Sequence, residues 1–149
     1  MTKRGTYDYG HVLPGVVLLK VLVSRCKSCG ETEVSIPRIE DLHRELAWKL
    51  VEKKGRLTPR EVRYLRKHLG LSSADFAAHM GTRPETVSRW ESGSAAMGEV
   101  ADRLLRLMVV HQEPAKDYAI EALKSATAGG ARNLKVQMKA GVVRGWKAA

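Results

Sequence analysis

Between Thr58 and Gly93 the chain signals the start of a helix three times and the end of one three times, with almost no linker between them. A Ser or Thr followed three residues later by an acid satisfies two otherwise orphaned helix-start N–H groups reciprocally. Thr58 with Glu61 has this form, with Pro59 at the first helical position, where a missing N–H costs nothing, and Leu57 spaced to staple onto Val62. Ser72 with Asp75 repeats it, with Leu71 spaced to staple onto Phe76, and Thr82 with Glu85 repeats it again, Pro84 still lying in the first turn. Gly70, Gly81 and Gly93 each follow a helical run where a left-handed residue ends a helix well. The pattern predicts three short helices in immediate succession.

Apolar spacing narrows the choice further. Phe76, Ala77 and Met80 give the middle helix one apolar face, and Val87 with Trp90 give the next helix the face opposite. Ala77 is small where the helices must approach, and Gly81 occupies the turn between them. A generic helical hairpin needs only the caps and the stripes, whereas the order Phe-Ala, Met-Gly, then Val and Trp is more specific. On these residues, 69–93 resembles the Cro and repressor-like (XRE) helix-turn-helix family. The resemblance implies a bundle of four to five helices over about residues 56–111. Its last helix is expected at residues 97–110, where Val100, Leu104, Leu107 and Met108 recur at helical spacing.

In folds of that family the exposed face near the start of the third helix meets base edges, which in this chain presents Arg83, Glu85, Thr86, Ser88 and Arg89. A guanidinium can donate two hydrogen bonds to guanine O6 and N7, so Arg89 is the expected base reader, with a phosphate contact as its alternative. Glu85 could accept from a cytosine amino group, but it is also the partner of Thr82, and the cap is the preferred reading. Ser72 and Ser73, at the positive end of the second helix, suit a phosphate. Trp90 is expected to point inward.

Ahead of the helices the chain changes character. Residues 16–24, VVLLKVLVS, are apolar and β-branched, residues 31–36 alternate around Val34 and Ile36, and CKSCG lies between them, which reads as a β-hairpin turning on a cysteine knuckle. Tyr7, Tyr9 and Val12 offer a third strand. From Pro37 a helix carries Ile39, Leu42, Leu46 and Leu50 on one stripe, suited to docking the sheet onto the bundle. The expected organisation is a small β module at 1–36, a connecting helix at 37–55, the helix-turn-helix domain at 56–111 and a basic tail at 112–149. The whole is expected to be mainly α with a small N-terminal β-hairpin module.

Cys26 and Cys29 are the only cysteines. A structural zinc needs four ligands, normally from two such knuckles, and His11 is the nearest further donor. A zinc closed within the chain, a zinc shared between two subunits, a disulfide switch and a tight turn holding two thiols without metal all fit; the last is preferred, and no cofactor is expected to be required.

The knuckle hairpin, IPRIEDLHREL and a following TVSRWESG together resemble the MqsA/YgiT-type antitoxin regulators, in which a small zinc-ribbon domain precedes an XRE-type domain. The resemblance covers about residues 7–110 and is strongest over 57–107. It implies a cytoplasmic prokaryotic homodimer that binds an operator through its C-terminal module and often captures a toxin through its N-terminal one. The chain departs from that pattern at residues 1–5, MTKRG, where the first CxxC would lie.

A net charge of +10 favours a polyanionic partner, nucleic acid before membrane. No apolar run is long enough to span a membrane and no signal peptide is evident, and one CxxC does not make a disulfide-stapled secreted protein. No nucleophile triad, phosphate loop or paired acids emerge, so an enzyme is not expected. The tail suggests a helix around Tyr118 to Leu123, then a strand through Leu134, Val136 and Met138 pairing back across Gly141 with Val142, Val143 and Trp146. From Ala131 onward it holds five Lys or Arg and no acid. The expected function is sequence-specific recognition of a near-palindromic double-stranded operator by a dimeric repressor and antitoxin, nucleoid-associated when bound. The alternatives are a toxin-neutralising interaction module that reads no operator, and a stand-alone regulator with no toxin.

Overall fold

The computed structural model describes residues 2–112, 126–141 and 145–149. The chain forms two compact units, residues 1–45 with 134–149 and residues 46–133.

The first unit is a sheet of β1 (Thr2–Asp8), β2 (Val16–Arg25), β3 (Thr32–Ser35), β4 (Val136–Gly141) and β5 (Gly145–Ala148). β2 is its axis. One edge of β2 pairs antiparallel with β1; the other pairs parallel with β4 over Val16 to Leu19, then antiparallel with β3 over Leu22 to Arg25. β5 returns antiparallel on β4, from Gly141 opposite Gly145 to Met138 opposite Ala148. Val16, Leu18, Val21, Leu42, Met138 and Trp146 are buried here, and the Trp146 indole donates to the Pro37 carbonyl at 2.8 Å. Gly15 makes room for β4: a Cβ there would lie 1.9 Å from the Leu134 carbonyl oxygen, and the Gly15 carbonyl accepts from the Val136 N–H.

The sheet corrects the expectation of a mainly α fold, since the described residues are 42% helical and 23% strand. The tail strands join the N-terminal ones in a single sheet. The tail's alternating Val136 and Met138 find their partner in β2, far away in sequence, and a parallel pairing leaves no local turn signal to reveal it. Tyr7 lies in β1, whereas Tyr9 and Val12 fall in the turn that follows. The helix expected around 118–123, and Val142 with Val143, lie outside the described residues.

α1 (Ile39–Glu52) contributes residues 46–52 to the second unit, followed by α2 (Pro59–His68), α3 (Ser73–His79), α4 (Pro84–Ser92) and α5 (Glu99–Gln112). Thr58 and Glu61 form the full reciprocal cap of α2, with the Thr58 N–H donating to the Glu61 carboxylate at 2.8 Å. At α3 only half of the expected box forms. Ser72 accepts from the Asp75 N–H at 3.1 Å, while the Asp75 carboxylate takes the Ser72 hydroxyl at 2.6 Å.

The third box does not form: Arg83, not Thr82, caps α4, without a side-chain bond. The residue before a proline is pushed into extended backbone, which an N-cap adopts, so Pro84 shifts the start by one residue. α5 turns the opposite face inward from the one its apolar spacing suggests. Asp102, Leu105, Arg106 and Val109 are buried, while Val100 is 80% exposed and Leu104 and Leu107 are exposed. Among the described residues no helix is long and apolar enough to cross a membrane.

Candidate nucleic-acid interface

The turn between α3 and α4 is fixed by backbone bonds alone. Met80 caps α3, Gly81 follows at φ +64°, the Gly81 N–H donates to the Ala78 carbonyl and the Thr82 N–H reaches back to the Ala77 carbonyl at 2.9 Å. This is a Schellman ending, which consumes two orphan carbonyls and turns the chain sharply into Arg83 and Pro84. Nothing lies within 4 Å of where a Gly81 Cβ would sit, so its left-handed backbone, rather than crowding, is what asks for glycine. Phe76, Ala77 and Val87 are buried where α3 and α4 meet, and Met80 and Trp90 are half-buried. Trp90 lines a groove with Pro59, Val62 and Met97, so it serves packing.

With Val87 inward, helical geometry turns positions 85, 88, 89 and 92 outward together. Glu85, Ser88, Arg89 and Ser92 are all exposed, Thr86 is half-buried at the margin of this face, and Arg83 is exposed at the helix start. Ser92 escaped the sequence reading; its place on the i, i+3, i+4, i+7 row of Glu85 was the signal. With the Thr82 cap unformed, Glu85 is left on the outer face.

A second residue missed in the sequence holds this helix in place. The Arg66 guanidinium on α2 forks onto the Glu91 carboxylate of α4 at 2.5 and 3.1 Å and donates to the Leu71 carbonyl at 2.9 Å. Both side chains are nearly buried, at 11% and 12% exposure. The bond to Glu91 raises the Arg66 pKa above its already high usual value, so the guanidinium stays charged. Arg66 thus ties α2, the α2–α3 turn and α4 together at one guanidinium. Arg60, Arg63 and Lys67 make an exposed basic row along the outside of α2. Ser72, exposed, and Ser73, half-buried, stand at the start of α3, but the Ser72 hydroxyl is engaged by Asp75 and brings a carboxylate to that end.

The cysteine knuckle is a separate site. Cys26 and Cys29 are exposed thiols in the β2–β3 turn. The Cys26 pKa is lowered to about 6, first by the Ser28 hydroxyl, 3.0 Å from its sulfur, and then by the backbone N–H groups and thiol around it. His11 stacks edge-on against Tyr7 and Tyr9 instead of joining the thiols. Among the described residues no three His, Cys, Asp or Glu side chains are grouped to hold a metal. Two thiols alone do not fit the four-ligand zinc implied by the resemblance.

Residues 62–108, from the middle of α2 to α5, match the family model described as helix-turn-helix. No curated protein and no solved structure matches the chain. The segment is a helix-turn-helix DNA-binding domain of the XRE type, and the chain that carries it is a DNA-binding transcriptional regulator.

Proposed function

We propose that the chain is a sequence-specific repressor that reads a near-palindromic operator as a homodimer and also serves as the antitoxin of a type II toxin-antitoxin pair. The observation that carries operator reading is the outward face of α4: Arg89 stands exposed between Glu85, Ser88 and Ser92 on a helix anchored from behind by the Arg66–Glu91 fork. Arg89 reads guanine, Ser88 and Thr86 supply base or phosphate contacts, and Arg83 and Ser73 meet the backbone. Glu85, released from capping, disfavours guanine and favours a cytosine amino group at the neighbouring base. The reading calls on no catalysis and no metal, and places the protein on the nucleoid in a prokaryotic cytoplasm.

Dimerisation is supported by the outer stripe of α5, where Val100, Leu104 and Leu107 are exposed and Leu104, Leu107 and Met108 line an apolar groove with Leu69 and Leu71. Two copies would set their reading helices about 34–36 Å apart, one turn of duplex. The antitoxin role rests on the resemblance of the knuckle hairpin and the helix-turn-helix to the MqsA/YgiT-type regulators; a stand-alone repressor is the alternative.

The test is selection of a binding site from random duplexes, followed by titration of wild type and Arg89→Ala on the selected and scrambled sequences. Loss of preference for the selected site with residual non-specific binding is the expected result, and an Arg89→Ala protein with unchanged preference would refute the assignment. Sedimentation without DNA reports the dimer. Complex formation with the product of the adjoining reading frame, retained in Arg89→Ala, separates antitoxin from stand-alone repressor.

A further inference from the structure

We propose that the sheet unit binds a small phosphomonoester in a basic pocket where β2 changes partners. On one edge β2 pairs with β4 as far as Leu19 and with β3 from Leu22, leaving Lys20 and Val21 unpaired between them. A pocket of about 270 Å³ opens at this gap, lined by Arg4, Lys20, Leu22, Ser35, Pro37 and Arg38. Its size suits a ligand of few atoms, and its concavity suits a free phosphate ester rather than the convex backbone of a duplex.

The backbone is built to deliver the cations. On the opposite edge Gly5 pairs with Val21 and Thr6 with Leu19, so Lys20 is the extra residue of a β-bulge, at φ +60°. Bulges re-aim side chains, and the left-handed position of such a bulge ordinarily falls to glycine. A glycine would make the same bend without the strain that a lysine carries. Arg38, at φ +50°, is the only other non-glycine residue in this conformation among the described residues, and it lines the same pocket. Two strained backbones converging on one cavity, each presenting a cation, mark a functional constraint.

The charges repel one another in the absence of an anion. The positive charge of Lys139, first, and then that of Arg4 hold the Lys20 pKa below the usual lysine value. Asp41, 2.5 Å from the Arg38 guanidinium, neutralises one charge and orients that fork. Among the described residues, Arg4, Lys20 and Lys139 have no acidic partner. A phosphate dianion would answer that excess, with the Ser35 hydroxyl as a neutral donor and Leu22 and Pro37 as a surface for the ester's organic group.

The probes are inorganic phosphate and phenyl phosphate, with phenol as the uncharged control, titrated calorimetrically into the full chain in phosphate-free buffer. Saturable binding of phenyl phosphate, tighter than inorganic phosphate and absent for phenol, is expected. Lys20→Gly, which keeps the bulge and removes the ammonium, and Arg4→Ala should each weaken it about tenfold or more, while Lys27→Ala, an exposed lysine on the knuckle, leaves it unchanged. Loss of a charge-assisted bond should also appear as a smaller binding enthalpy in Lys20→Gly, whose folding is checked by its unfolding midpoint. No saturable binding of either phosphate, an equal loss in Lys27→Ala, or variants that lose duplex affinity in place of phenyl phosphate binding would each overturn the proposal.

Discussion

Arg106 and Asp102, one turn apart on α5, form an ion pair at 2.7 Å with both side chains at most 1% exposed. Around it the remaining valences are spoken for: Arg106 donates to the carbonyls of Leu50, Val51, Lys53 and Gly55, and Asp102 accepts the Leu57 N–H at 2.7 Å. The guanidinium therefore closes the C-terminus of α1, where cations are favoured, while the carboxylate holds the residue that leads into α2. Burial of a charge is tolerable only with such complete pairing.

Removing one member of the pair is expected to cost far more than removing both. Arg106→Met leaves Asp102 buried and unpaired and several carbonyls without donors, for a loss of about 3–5 kcal/mol in chemical denaturation. The double variant Arg106→Met with Asp102→Leu should recover part of that loss. If the double variant is as unstable as the sum of the singles, the two residues act independently and the pair is not the organising element.

The Arg66–Glu91 fork ties stability to DNA recognition. Glu91→Gln should weaken folding by about 1–2 kcal/mol, because a neutral amide cannot replace a bidentate charged partner. A double-mutant cycle with Arg66→Met should show coupling of the same order. Affinity for duplex DNA should fall in Glu91→Gln even where the protein is fully folded, since α4 loses its rear anchor. Unchanged affinity in the folded variant would mean that packing of Val87 alone positions the helix.

Gly81 isolates backbone conformation from packing. At φ +64° with nothing near its absent Cβ, Gly81→Ala should cost about 1–2 kcal/mol through the left-handed penalty. Gly81→Asn should cost less, since asparagine visits that region more readily. Equal losses in the two variants, read from urea midpoints, would point to a steric cause that the geometry does not contain.

The sequence made the helix-turn-helix legible because its determinants are local: caps, glycine stops and apolar offsets all act within a few residues. The Thr58 box, the glycine at the α3–α4 turn and the outward Arg89 follow from that. The departures have separate causes. Thr82 loses its cap because the constraint of Pro84 on Arg83 outweighs a favourable box, a competition between two local rules. Val100, Leu104 and Leu107 face outward because a charged pair, Asp102 and Arg106, takes the inner side, and hydrophobic periodicity counts charged residues as outer. The pairing of β4 with β2 and the bulge at Lys20 depend on partners distant in the chain, so neither leaves a local mark.

Cys26 gives a pH-dependent readout. A thiol pKa lowered to about 6 means that thiolate forms as the pH rises through 6, so at neutral pH most of Cys26 is already ionised. Alkylation of Cys26 by iodoacetamide, followed by peptide mass spectrometry, should rise through pH 6 and level off by about pH 7, whereas an unperturbed cysteine keeps accelerating beyond pH 8. The Ser28 hydroxyl is the largest cause of the shift, so Ser28→Ala should move the midpoint upward while the turn, held by the Cys26 N–H to the Glu31 carbonyl at 2.8 Å, stays intact. A rate that climbs without a plateau to pH 8.5 in the wild type would show that the hydroxyl does not donate to Cys26 in solution. The same profile in Ser28→Ala as in the wild type would shift the cause to the backbone N–H groups of Ser28 and Cys29.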